Sequence, residues 1–285
     1  MAYRGRFAPS PTGPLHFGSL VAALASWLDA RANGGSWLLR IEDIDPLREV
    51  EGASQRILND LVEHHLIPDE PPWHQSRRGD AYEAVLAQLR EAGHLYPCPC
   101  SRRELNEHHG LHPRHCRSHP DWEQPEPFAL RLPVEDREGR WYDRVLGEQT
   151  LRLRRELDDA ILRRKEGFYA YHLAAVVDDI DQGINQVVRG QDLAELTPIH
   201  LCIYEAMGHT PPDYLHFPVV YNEKGQKLSK QAGASPINAL SPRRNITQAL
   251  TALAHRPPAS LQEAPVDQQL EWAINAWDTA RLRGA

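Results

Sequence analysis

The stretch Arg6-Phe7-Ala8-Pro9-Ser10-Pro11-Thr12-Gly13-Pro14-Leu15-His16-Phe17-Gly18-Ser19 decides how the rest of the chain is read. Its prolines fix φ and remove backbone donors, and its glycines tolerate conformations closed to other residues, so it reads as a constrained loop. Residues 3–8 leading into it read as a short strand. After Gly18 the run Leu20-Val21-Ala22-Ala23-Leu24-Ala25-Ser26-Trp27-Leu28-Asp29-Ala30-Arg31 is built of helix formers, with Val21, Leu24 and Leu28 on one face. Asn33-Gly34-Gly35 closes that helix, and Ser36-Trp37-Leu38-Leu39-Arg40-Ile41 follows as a buried strand. Strand, loop, helix, strand predicts the opening of a parallel βαβ unit. The loop then feeds a helix N-terminus, where backbone N–H groups and the positive dipole end suit a phosphate.

The second strand ends in Arg40-Ile41-Glu42-Asp43-Ile44-Asp45-Pro46. Alternation puts Arg40 and Glu42 on one side, and the carboxyl ends of strands line the ligand crevice of an open α/β sheet. Glu42 is therefore a candidate to meet whatever the first loop holds. Asp43 and Asp45 read more simply as a solvated acidic turn, with Asp45 capping the next helix. Helices are expected over 48–66 and 80–92, separated by the proline-bearing 68–72. Residues 128–132 and 149–153 look like strands around a turn-rich 136–144, so this middle block reads as an insertion. Farther on, 168–179 predicts an apolar helix, 184–193 a strand ending in the charged turn Arg189-Gly190-Gln191-Asp192, 197–207 a helix and 215–221 a strand. The Gly-bracketed Lys227-Leu228-Ser229-Lys230-Gln231 offers two lysines that can fold over polyphosphate; taken alone it reads by default as a solvated surface loop.

The formal net charge of −7 argues against a generic nucleic-acid coat, yet leaves room for a local basic face that docks a structured RNA. No apolar run is long enough to span a bilayer, and the first motif follows the N-terminal Met directly, so a cytoplasmic protein without signal peptide or membrane association is expected. Of the four cysteines, Cys98, Cys100 and Cys116 cluster. With His112 as fourth donor the spacing is C-x-C-x11-H-x3-C, which suits a structural zinc that four protein ligands close to water. His108, His109, His115 and His119 compete for the fourth place, and buried thiols with incidental histidines are the plain alternative.

Taken together, Pro9-Ser10-Pro11-Thr12-Gly13-Pro14-Leu15-His16-Phe17-Gly18 and Lys227-Leu228-Ser229-Lys230-Gln231 resemble the two signatures of class I aminoacyl-tRNA synthetases, the HIGH and KMSKS motifs. Arg6-Phe7-Ala8, Arg40-Ile41-Glu42-Asp43-Ile44-Asp45 and Val187-Val188-Arg189-Gly190-Gln191-Asp192-Leu193 look like the glutamyl-tRNA synthetase branch, and the likeness runs from about 3 to 231. Glutamyl-tRNA synthetases carry a large anticodon-binding region at the point where only a short helical segment follows here. With the cysteine cluster, this is similar to the glutamyl-Q tRNA(Asp) synthetases, which attach glutamate to the queuosine base in the anticodon of tRNA(Asp).

The resemblance implies an α/β fold: a Rossmann-like parallel-sheet nucleotide-binding catalytic domain with a zinc-containing insertion and a short helical C-terminal tail. Its expected parts are 1–95 and 156–240 for the two halves of the catalytic domain, 96–155 for the insertion and 241–285 for the tail. It further implies a monomer that uses ATP with Mg2+, L-glutamate and tRNA(Asp) carrying queuosine. His16 would stabilise the pentavalent phosphate, Gly18 would let adenine approach, and Ser19 replaces the motif's final histidine. Lys230, with Lys227 in support, would hold the ATP phosphates. Arg6, Ala8, Ser10, Glu42, Tyr171 and Arg189 would bind glutamate, whose two carboxylates suit arginine and whose ammonium suits an acid. Zinc would fall to Cys98, Cys100, Cys116 and His112, where relatives often carry tyrosine. The remaining alternatives are a compact glutamyl-tRNA synthetase acting at a tRNA 3′ end, an enzyme loading glutamate onto a non-RNA acceptor, and a catalytically silent paralogue that binds zinc and RNA.

Overall fold

The computed structural model describes residues 2–107, 115–153, 159–219, 237 and 241–284. The opening βαβ unit forms as its residue types dictate. β1 (Arg4–Phe7) leads through the constrained loop into α1 (Phe17–Ala32), and β2 (Ser36–Ile41) returns parallel to β1, with Arg4 opposite Ser36 and Phe7 opposite Leu39. Gly13, at φ 136°, takes a conformation the loop requires and other residues rarely adopt. Leu20, Val21, Leu24, Leu28 and Ala30 are all buried, so α1 is enclosed beyond the single apolar face expected of it. The reason lies at the far end of the chain: the helices Pro242–Ala252 and Val266–Ala276 pack on its second side within the same core.

The helix expected over 48–66 is shorter, α2 (Ala53–Glu63), and its N-cap is Gly52 at φ 72°, in place of Asp45. Asp45 instead meets the Arg164 guanidinium at 3.3 Å. Asp43 accepts from the backbone N–H and hydroxyl of Ser76, at 2.8 Å each, and lies 3.0 Å from His74 Nδ1. It thereby ties the end of β2 to β3 (Trp73–His74), and α3 (Gly79–Glu91) follows.

The middle of the chain is divided between two sheets. β4 (Tyr96–Cys98), β5 (Ala129–Leu132) and β8 (Ala160–Arg163) form a small antiparallel sheet. β6 (Glu138–Asp143) and β7 (Gly147–Arg152) form a hairpin that joins the large sheet, so the block 96–155, expected as an insertion, also supplies that sheet's edge. The helix Tyr171–Asp181, β9 (Gln186–Gly190), the helix Thr197–Ala206 and β10 (Asp213–Phe217) complete the alternating pattern. Among the described residues the large sheet runs β3-β2-β1-β9-β10-β6-β7, parallel except for the last pair. The order reverses between β1 and β9, and an open α/β sheet forms its ligand crevice at such a switch point.

One buried carboxylate fastens three distant segments. Asp29 on α1 accepts from Tyr3 Oη at 2.5 Å, from both terminal nitrogens of Arg144 at 2.6 and 2.9 Å, and from Trp277 Nε1 at 3.0 Å. It thereby joins the N-terminal strand, the β6–β7 turn and the C-terminal helical region. Removing one member of a buried charged pair strands the other, at about 3–5 kcal/mol. Asp29→Ala is expected to lower unfolding free energy by that amount, read from the urea midpoint at unchanged m-value.

Candidate active site

A cavity of about 550 Å3 opens at the switch point, over the carboxyl ends of β1, β2 and β9. Arg6, Ala8 and Ser10 line it from the first strand and loop, His16, Gly18 and Ser19 from the start of α1, and Glu42 from the end of β2. Tyr171 enters from the start of its helix and Arg189 from β9. The residues expected around glutamate thus share one chamber with His16, Gly18 and Ser19 of those expected around ATP. Lys227 and Lys230 lie outside the described residues. Thr12, Arg48 and Asp192 also line the cavity and were not singled out from the sequence as site residues.

The loop is held by its own polar groups. His16 is the N-cap of α1: its Nδ1 accepts from the Ser19 backbone N–H at 3.2 Å, and its Nε2 lies 2.8 Å from the Ser19 hydroxyl. Ser19, where the family motif has histidine, is therefore placed to orient His16. The Glu42 backbone N–H donates to the Pro9 carbonyl at 3.0 Å, which draws the end of β2 against the loop.

Below the cavity lies a buried ionic layer. Asp179 accepts from Arg6 Nε at 3.0 Å and from Arg40 Nη2 at 2.7 Å. Arg40 also donates to Gln182 Oε1 at 2.7 Å. Asp178 accepts from Tyr82 and Gln75 at 2.8 Å each and from Arg78 Nε at 3.1 Å. Burial works to raise the Asp179 carboxyl, but the two guanidiniums outweigh it and hold the group below the usual carboxylate range. Arg40 and Glu42, which alternation puts on one side, lie at different depths. The helix Tyr171–Asp181 covers Arg40 completely, while Glu42 at the strand end reaches the cavity. Burial pushes the Glu42 carboxyl up to about 7, against the opposing pull of Arg40 and Arg6.

Arg189 is fixed differently. Its Nε lies 3.0 Å from His216 Nε2, its Nη2 2.8 Å from Thr197 Oγ1 and its Nη1 3.5 Å from His200 Nδ1. His216 Nδ1 in turn lies 2.6 Å from Asp143 Oδ2. Burial and the nearby Arg189 hold His172 down at about 4 and His200 well below its ordinary value, so both are neutral at pH 7. Sequence reading missed Asp143, Asp178, Asp179, His200 and His216, because no local pattern separates such residues from surface polar positions.

The second chamber of interest holds the cysteines. The sulfurs of Cys98, Cys100 and Cys116 lie within 4.8 Å of one another, all buried, with Cys100 and Cys116 at 3.5 Å. A tetrahedral zinc with Zn–S of about 2.3 Å separates its sulfurs by about 3.8 Å, so the donor set fits. Burial, with Cys116 beside it, pushes the Cys100 thiol up, a penalty that a bound cation would reverse. His112, with His108 and His109, lies outside the described residues; of the other competitors, His115 Nε2 approaches Cys100 Sγ to 3.6 Å.

The family model for the catalytic domain of class I tRNA synthetases (E and Q) matches residues 2–240. The chain belongs to that family. The synthetase is 46% identical over 281 residues to the glutamyl-Q tRNA(Asp) synthetase of Pseudomonas aeruginosa strain LESB58, covering 99% of this chain and 95% of the relative. It is 47% identical over 291 residues to that of Cupriavidus metallidurans strain CH34, covering 99% and 92%. By family it stands with these glutamyl-Q tRNA(Asp) synthetases. Its structure is similar to that of a glutamate tRNA ligase from Elizabethkingia meningosepticum solved with its amino acid, at TM-score 0.83 and 27% identity. That match covers 100% of this chain and 66% of the ligase, so the synthetase spans about two thirds of the ligase's length. Among the described residues no helix is long and apolar enough to cross a membrane.

The raised Glu42 carboxyl makes a signed prediction. The folded synthetase keeps this proton above the pH at which the unfolded chain releases it, so the group's contribution to stability is complete below about pH 4.5 and declines as pH rises to about 7. Glu42→Gln removes that decline. Across this window the variant's stability relative to the wild type is expected to grow by roughly 3 kcal/mol, measured by urea unfolding at a series of pH values.

Proposed function

We propose that this cavity activates L-glutamate with Mg-ATP, without tRNA present, and that the enzyme then transfers glutamate to the queuosine base of tRNA(Asp). The observation that carries the reading is the convergence of an acid, Glu42, and a guanidinium held by uncharged partners, Arg189, on the chamber that the His16 loop also lines. Glutamate needs both charges, since its ammonium pairs with an acid and its carboxylate with arginine. The relatives' name over nearly the whole chain supports the acceptor.

In the first step an oxygen of the glutamate α-carboxylate attacks the α-phosphorus in line. The bond to the β-phosphate bridging oxygen breaks, giving glutamyl-adenylate and Mg-pyrophosphate. Positioning and charge stabilisation do the catalysis. His16 neutralises developing charge at the phosphorus, Gly18 and Ser19 lie against the nucleotide, and Lys230 with Lys227 takes the phosphates. Arg6, Ala8, Ser10 and Tyr171 complete the glutamate pocket around Glu42 and Arg189. A hydroxyl of the queuosine cyclopentene ring then attacks the activated carbonyl and AMP leaves. A structural zinc held by Cys98, Cys100, Cys116 and His112 would brace the 96–155 insertion, far in function from these steps.

The likeness to a glutamate tRNA ligase favours one rival, transfer to a tRNA 3′ end. With queuosine-bearing tRNA(Asp) and labelled glutamate, the label is expected to survive removal of the 3′-terminal nucleotide; label found only on the terminal adenosine overturns the proposal. The zinc assignment makes a separate prediction. The purified chain should carry about one zinc per molecule by atomic absorption, and Cys98→Ser with Cys100→Ser should lower this below about a fifth.

A further inference from the structure

Arg6 and Arg189 both reach the cavity, yet their partners differ in kind. Arg6 shares the Asp179 carboxylate, so its charge is already matched. Each hydrogen-bond partner described for Arg189 is an uncharged side chain: His216, Thr197 and His200. The ring of Tyr214 lies 5.3 Å below its guanidinium carbon. Arginine has donors only, so the 3.0 Å contact from Arg189 Nε requires a bare lone pair on His216 Nε2. Thr197 Oγ1 stands 3.4 Å from the same nitrogen. The proton of a neutral His216 must then sit on Nδ1, where it donates to Asp143 Oδ2 at 2.6 Å.

Asp143 is itself locked in orientation. Its Oδ1 accepts from the backbone N–H groups of Val145 and Leu146, at 2.9 Å each, and of His216 at 3.3 Å. Only Oδ2 is left to face the ring.

We propose that Asp143 and His216 are positioning residues for Arg189: the carboxylate holds the His216 ring in the tautomer that presents Nε2 to the guanidinium, aiming Arg189 without neutralising it. The negative charge is kept one side chain away. A carboxylate placed directly on Arg189, as Asp179 is on Arg6, would offer the substrate an already neutralised pair. Through the intervening imidazole the guanidinium gains a fixed direction and keeps its charge for an incoming carboxylate. The inference rests on the reading of Arg189 as the glutamate receptor.

Asp143→Asn tests it by reversing the tautomer while keeping the side chain's shape. The backbone donors claim the amide oxygen, so the amide nitrogen must face His216 Nδ1. That moves the ring proton to Nε2 and sets donor against donor at Arg189. In glutamate-dependent ATP–pyrophosphate exchange, the KM for glutamate is expected to rise about tenfold or more while the KM for ATP stays within about twofold. His216→Gln retains an acceptor near Nε2 and should stay within about threefold of wild type, whereas His216→Phe, which keeps the shape without an acceptor, should match Asp143→Asn. The Gln and Phe pair stands as a test even where Asp143→Asn does not fold. An unchanged glutamate KM in Asp143→Asn, equal rises for glutamate and ATP, or equal damage from Gln and Phe overturns the inference. A wild-type enzyme without glutamate-dependent exchange overturns the reading of the site instead.

Discussion

The Asp179 carboxylate, shared by Arg6 from the first strand and Arg40 from the second, is the interaction on which the rest of the site depends. Both arginines and the aspartate are almost fully enclosed. Charges so placed persist only when paired and hydrogen-bonded, so the two parallel strands and the Tyr171–Asp181 helix must keep one relative position. Asp178 extends the same layer to Arg78, Gln75 and Tyr82. The layer forms the floor of the cavity. It leaves Glu42 above it in an environment where a carboxyl and its conjugate base are both accessible near neutral pH.

Above that floor the chain uses two kinds of arginine. Arg6 lines the cavity with a charge it already shares with Asp179, while Arg189 is held by neutral groups. The distinction follows from what each strand end faces. β1 faces a helix end that carries Asp178 and Asp179, and β9 lies beside β10, which supplies His216. α1 is fixed by His16 and Ser19 at its N-terminus and by the Asp29 hub near the other end, so the turn that faces the cavity is held at both ends of its helix.

The hairpin of β6 and β7 shows how one local turn serves two distant purposes. Asp143 and Arg144 are neighbours in sequence, yet Asp143 reaches His216 beneath Arg189 and Arg144 reaches Asp29 on α1. The same block carries the buried cysteines at the edge of the small sheet, so it joins the catalytic sheet to a cluster whose donors suit a metal.

Much of this was legible in the chain itself. The Pro- and Gly-punctuated loop, the Ala-rich helix after it and the apolar strand 36–41 specify a βαβ opening through local propensity. The residues read from the motifs, among them Arg6, Ser10, His16, Glu42, Tyr171 and Arg189, do meet in one cavity. What local pattern could not supply was the partner of each charge. Asp178 and Asp179 look like the ordinary end of a helix, His216 like one polar residue in an apolar strand, and Asp143 like part of a turn. Likewise α1 looked one-sided because the helices that cover its other face come more than two hundred residues later. Sequence determines conformations set by neighbours along the chain, where sterics and periodicity act over a few residues. The tertiary structure alone decides which buried charge answers which, because electrostatic pairing and desolvation depend on distance in space.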